Sequence, residues 1–181
     1  MGRIEGYLSK RYLWGKYILI FICVGSREYQ FDRLLREIDK LIEENYISEE
    51  VFGQIGKSTY LPKYFGYKRF LDAKEFSDAQ NKADIIISHG GTGSLISSLK
   101  LGKKVIAVPR LEKFNEHIDD HQIQVSTALS DKGYLKTVFD ITMLYDAIDS
   151  INNDFIPKKF NLKSNVLNVI DSYIESEFTD G

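Results

Sequence analysis

With 181 residues, 43% of them hydrophobic, the chain can bury one sizeable core and reads most simply as a single domain. Its formal charge of -2 offers no general attraction to polyanions, so a nucleic-acid partner is not expected. The one cysteine, Cys23, excludes an internal disulfide framework and fits a reduced, cytosolic compartment, and no window approaches the ~20 apolar residues needed to cross a bilayer.

Residues 1–16 mix basic and aromatic side chains without a clean period and read as a leader or tag-like segment, leaving 17–181 as the domain. Residues 17–24 are apolar without alternation, as expected of a strand covered on both faces of a parallel sheet. The run stops at Gly25-Ser26. A helix is expected over 31–44, with Phe31, Leu34, Leu35, Ile38, Leu41 and Ile42 on one stripe. Strands are expected at 51–55 and 67–70, a loop broken by Pro62 and Gly66 over 57–66, and a short helix at 74–81.

Ile85, Ile86 and Ile87 then enter Ser88-His89-Gly90-Gly91-Thr92-Gly93-Ser94, after which Leu95, Ile96, Leu99 and Leu101 recur at helical spacing until Gly102. A strand follows at 103–108, then Pro109-Arg110 and a polar connection over 111–120. A helix from about Asp119 to Gly133 carries Ile123, Ala128 and Leu129 inward. The pattern closes with a short strand at 134–138 and helices at 141–151 and 162–178. Strands alternating with helices argue for a parallel sheet with helices on both faces. In such folds ligands sit beyond the carboxyl ends of the strands, where the strand order reverses.

The glycine turn at 88–94 is chemically suggestive. Glycines allow close approach to the backbone, and the free N–H groups at a helix start carry partial positive charge, so a phosphate fits there. Thr92 and Ser94 add hydroxyls that cap the helix or donate to phosphate oxygens. A plain strand-to-helix connection uses similar turns. The spacing matches neither the P-loop nor the dinucleotide fingerprint.

The stretch from Asn115 to Gln122 places His117 and His121 four residues apart among carboxylates. On a helix these histidines would share a face, the spacing of a metal grip, but no glutamate follows His117 directly and no third ligand is evident. Two other uses fit the same residues. Asp119 and Asp120 suit the positive end of a helix dipole, and paired groups such as Asp with Gln suit sugar hydroxyls.

Ser88-His89-Gly90-Gly91-Thr92-Gly93-Ser94, the strand end at 105–110, and Glu116-His117-Ile118-Asp119-Asp120-His121-Gln122 together resemble the donor-binding half of GT-B glycosyltransferases. The resemblance is to the family 28 C-terminal-domain type, and within it to small stand-alone subunits of two-component enzymes. Val24-Gly25-Ser26 and Gln30-Phe31-Asp32-Arg33-Leu34 resemble the family's opening strand, glycine loop and first helix. The resemblance implies an α/β, Rossmann-like sheet forming the C-terminal half of a GT-B fold. By it, His89, Gly90, Gly91, Thr92, Gly93 and Ser94 hold the diphosphate of a UDP-sugar, assisted by Gly25, Ser26 and Arg110. Asp120, His121 and Gln122 face the sugar and ribose, with Glu116 and His117 nearby.

Where many relatives carry a glutamate in the helix after the glycine loop, this chain has Ser97 and Ser98. Where bacterial relatives often carry a histidine in the first loop, it has Arg27, which leaves Glu28 as the nearby candidate base and His117 as the weaker one. The acceptor half of the family's full-length members is not present, so a membrane-associated partner subunit is expected to bind a lipid-linked saccharide at the inner membrane face. No metal or other cofactor is expected. The alternatives are a non-catalytic nucleotide-binding or regulatory subunit, and a metal-dependent hydrolase built on His117 and His121.

Overall fold

The computed structural model describes residues 18–118 and 121–160. In chain order the elements are β1 (Leu19–Cys23), α1 (Asp32–Glu43), β2 (Glu50–Gln54), β3 (Gly66–Lys68), α2 (Ala73–Lys82) and β4 (Ile85–Ser88). They continue with α3 (Thr92–Lys100), β5 (Lys104–Ala107), α4 (His121–Asp131), β6 (Lys136–Thr137) and α5 (Leu144–Asn153). Short 3-10 turns occupy Glu112–Phe114 and Ile141–Met143.

The strands form one sheet in the order β3-β2-β1-β4-β5-β6, and every pairing is parallel. The chain therefore steps outward from β1 to β3, returns to place β4 on the other side of β1, and steps outward again. The reversal lies between β1 and β4, so the loops after Cys23 and Ser88 flank the crevice where such sheets receive ligands.

The unalternating apolar strands are explained by cover on both faces. Ile20, Ile22 and Val24 pack with Ile85, Ile87, Ile106 and Val108 against the apolar stripes of α1 and α5. The intervening Phe21, Cys23 and Ile86 face Phe76 and Ala79 of α2, while Val105 and Ala107 face Leu95 and Leu99 of α3 and Val125 and Leu129 of α4. Truncating one such side chain, Ile22→Ala for example, is expected to cost about 2–5 kcal/mol.

Several expected boundaries shift for local reasons. Phe31 itself lies before α1 and donates its amide to Ser58 Oγ, while the first amide of the helix, that of Asp32, donates to Gln30 Oε1 rather than to a side chain of the N-cap. The strand expected at 134–138 shortens to Lys136 and Thr137, because Tyr134 and Leu135 turn into the core beside α4. The helix expected at 141–151 starts as a 3-10 turn capped by Asp140 and becomes α-helical only at Leu144. The segment at 1–16, Asp119, Asp120 and the helix expected at 162–178 lie outside the described residues.

Candidate functional site

β4 delivers the chain into His89 and Gly90, and Gly91 is the N-cap of α3. Gly90 has φ +84, and a Cβ there would stand 3.2 Å from Gln122 Cβ and Ser126 Oγ, so α4 closes against the bare backbone. No side chain caps α3. The amides of its first turn therefore point outward without an intrahelical partner, at the positive end of the helix. At Gly93 a Cβ would meet nothing within 4 Å. Glycine is not required there by packing, and its absent side chain leaves the amide edge open.

The hydroxyls expected in this turn separate into distinct roles. Ser94 Oγ lies 2.7 Å from Ser88 Oγ and donates to the carbonyl of Gly91 at 3.0 Å, so it braces the turn and leaves its amide for a ligand. Thr92 makes no side-chain hydrogen bond among the described residues and keeps its hydroxyl available.

His89 ties this turn to the loop after β1. Its Nδ1 lies 3.1 Å from the carbonyl oxygen of Cys23, an atom that can only accept, so Nδ1 carries the proton. Burial first, and then the charge of Arg110, push its pKa down to about 3. The ring is neutral at pH 7 and Nε2 bears a lone pair, so His89 can accept a hydrogen bond but cannot offer a second N–H to a diphosphate. A Cβ at Gly25, whose φ is +81, would stand 2.7 Å from Nε2, and one at Gly91 would collide with the same atom. The imidazole is thus the spacer that two glycines accommodate, a packing reason for both that ligand approach alone does not supply.

A cleft of about 380 Å³ opens at this reversal point. Its floor is Cys23, Gln54 and His89, and its sides include Gly25, Ser26 and Ser94 opposite the start of α2. The Cys23 thiol is desolvated, its pKa raised to about 11, so it is a protonated part of the floor and no nucleophile. Gln54 ends β2 only 5% exposed, and its side-chain amide has no hydrogen bond among the described residues. The amide reaches the cleft, where water or a polar ligand can pair with it. Leu71 and Asp72, just before α2, and Phe76 on it supply the opposite wall, and Asp72 Oδ1 caps the helix by accepting the Glu75 amide at 2.8 Å.

Other expected site residues are engaged elsewhere. Arg110 is 1% exposed and donates to the carbonyls of Val24 and Tyr29 rather than standing at the surface. Its Nε has no partner among the described residues, and burial lowers its pKa to about 10, which still leaves it charged at pH 7. Glu116 is fully buried, with its two oxygens accepting from Arg33 and one of them also from the Leu111 amide. Gln122 accepts the Arg110 amide at 3.1 Å and is buried against Gly90. His117 is 5% exposed with its ring 5.2 Å from that of Tyr29. Glu28 stands outside the cleft lining, 83% exposed and 3.3 Å from Lys57 Nζ. Asp120 lies outside the described residues. α4 begins at His121, close to the expected start near Asp119, so His117 precedes the helix and the condition for the two histidines to share a helical face is not met. Among the described residues no group of three His, Cys, Asp or Glu could hold a metal.

Residues 19–169 match the glycosyltransferase family 28 C-terminal domain. The chain belongs to this family. Human "UDP-N-acetylglucosamine transferase subunit ALG13" is 34% identical over 128 residues, covering 64% of this chain and 10% of that protein. The Candida glabrata subunit of the same name is 34% identical over 76 residues, 41% of this chain and 36% of the other. The chain thus spans about a tenth of the human relative.

Among solved structures, ALG13 superposes with a TM-score of 0.53 at 18% identity, covering 83% of this chain and 92% of that one. Acinetobacter baumannii MurG gives 0.56 at 18% identity, over 76% of this chain and 42% of the other. A Streptomyces glycosyltransferase, SsfS6, complexed with thymidine diphosphate, gives 0.55 at 17% identity, over 96% and 40%. These likenesses concern the fold.

In this family 28 domain Ser94, in the first turn of α3, lines the same crevice as Gly25, Ser26 and Gln54, so the positive end of that helix lies at the cleft, an arrangement suited to an anionic, polar ligand. Gln54, Leu71, Asp72 and Phe76 escaped sequence reasoning because they come from separate elements. The one available signal was a polar residue closing the strand expected at 51–55.

Proposed function

We propose that this chain is the donor-binding and catalytic subunit of a two-component, inverting UDP-sugar glycosyltransferase acting in polysaccharide biosynthesis. Its acceptor is a lipid-linked saccharide, presented at the cytoplasmic face of a membrane by a membrane-associated partner subunit. The similarity to the ALG13 UDP-N-acetylglucosamine transferase subunits favours N-acetylglucosamine as the sugar. The observation that carries the reading is the uncapped N-terminus of α3 beside the open Gly93, at the point where the strand order reverses.

In the reaction the UDP leaving group gains negative charge as the glycosidic bond to the sugar breaks. The α3 amides and the helix dipole stabilise that charge, which makes a metal ion or other cofactor unnecessary in principle. Gly25 and Ser26 close the other side of the diphosphate, and Arg110 adds a buried positive charge behind the loop that carries them. Gln54 offers a donor and an acceptor at the floor. The acceptor hydroxyl needs a general base. Glu28, on the exposed lip, or a group of the partner fills that role better than His117, which is buried under Tyr29.

One observation favours a non-catalytic nucleotide-binding subunit instead: neither candidate base lines the cleft. Co-expression with the acceptor-binding subunit and a transfer assay with radiolabelled UDP-N-acetylglucosamine separates the readings. Label entering the lipid fraction, and lost with Gly93→Asp, supports catalysis by this chain. UDP binding without transfer, under conditions where the partner transfers alone, supports the second reading.

A further inference from the structure

The loops after β1 and β5 leave strands that do not touch, because β4 lies between them. They nevertheless exchange side chains beyond the end of β4. Arg110, from the β5 loop, donates through Nη2 to the carbonyls of Val24 at 2.5 Å and Tyr29 at 3.1 Å. Arg33, on α1 just after the β1 loop, donates in return to the carbonyl of Pro109 at 3.1 Å and to the two oxygens of Glu116 at 3.0 and 2.8 Å. Glu116 in turn accepts the Leu111 amide at 3.1 Å. Gln30 Nε2 donates to the carbonyl of Phe114 at 3.1 Å, and the Tyr29 ring packs on His117.

Neither arginine lines the cleft. A buried ion pair is a poor source of net stability compared with apolar residues of similar volume, whereas the planar guanidinium fork fixes distances and directions that an ammonium group does not. The gain from this arrangement is therefore geometric. We propose that Arg33 is a positioning residue: through Glu116 and the Pro109 carbonyl it makes the two loops, which Arg110 alone only tethers, move as one body. A nucleoside diphosphate seated on Gly25, Ser26 and the start of α3 thereby also fixes the 109–118 segment that leads to His121. The inference rests on the donor-site reading above.

Amide hydrogen exchange on the full chain, with and without UDP, tests it in the wild type and in two variants. Arg33→Met combined with Glu116→Leu replaces the ion pair by an apolar pair. Arg33→Lys keeps the charge beside Glu116 and loses the fork, and it decides the matter if the double variant does not fold. In the wild type, UDP slows exchange at 24–30, 89–95 and 109–118. In the variants the slowing at 24–30 and 89–95 persists and that at 109–118 is lost. Slowing at 109–118 that survives in the variants, or is missing from a wild type that slows at 89–95, overturns the inference alone. A wild type in which UDP slows nothing overturns the donor-site reading and this inference with it.

Discussion

Replacing Gly93 by aspartate separates what the fold needs from what a ligand needs. A Cβ at this position meets no heavy atom within 4 Å, so the fold accommodates the side chain. Replacing glycine by aspartate in a helix gains about 0.3 kcal/mol of propensity, and a carboxylate in the first turn gains about 0.3–1 kcal/mol from the dipole. A gain near 1 kcal/mol raises Tm by about 2–4 °C in a domain of this size. The same carboxylate stands at the amides where the diphosphate is placed. Two unit charges about 5 Å apart, at an effective dielectric constant near 20, repel by about 3 kcal/mol, which weakens binding roughly 100-fold or more. Thermal unfolding and calorimetric titration with UDP measure both effects on one sample. An unchanged or raised Tm with a collapse of UDP affinity is the expected outcome, and Gly93→Ala should lose far less affinity. A Gly93→Asp protein that unfolds normally and binds UDP within about threefold of wild type would remove the α3 amides from the site.

Gly91→Ala has the opposite character, because its Cβ collides with the His89 imidazole. It should destabilise the chain by about 1–3 kcal/mol in urea unfolding, and combining it with His89→Ala should cost less than the sum of the single changes. Gln54→Met, which keeps the buried length of the side chain and removes its amide, should leave Tm nearly unchanged and weaken UDP binding by about 1 kcal/mol, roughly fivefold, by titration. The depressed pKa of His89 predicts a pH dependence of stability. The unfolded chain takes up a proton near pH 6.5 that the folded chain refuses until about pH 3. Stability is therefore full above that range and falls on acidification by up to about 1.4 kcal/mol per pH unit for this one group. Urea titrations in the upper part of that range should show a shallower slope in His89→Asn, while UDP affinity should show no step from this ring near neutrality.

Much of the fold was legible because its causes are local. Unalternating strands such as Ile20 to Val24 need cover on both faces, and the glycine turn at Gly90 and Gly91 announces a change of direction before a helix. The polar site residues were harder to assign, since a buried strut and a ligand contact use the same residue types. Arg110, Glu116 and Gln122 read as donor contacts in sequence, and the structure adds internal partners for each: the Val24 carbonyl, Arg33 and the Arg110 amide. What distinguishes these roles is the pairing of Arg33 with Glu116, residues separated by most of the sheet in sequence. Gln54 and Phe76 meet only through the parallel register and the placement of α2, which no single stretch encodes.

Calorimetric titration of the full chain with UDP tests the central claim most directly, first in chelator-treated buffer and then with added magnesium or zinc. Saturable binding without metal, abolished in Gly93→Asp, is the predicted result. Binding that requires metal, or that Gly93→Asp leaves unchanged, would contradict a donor site built on the amides of α3.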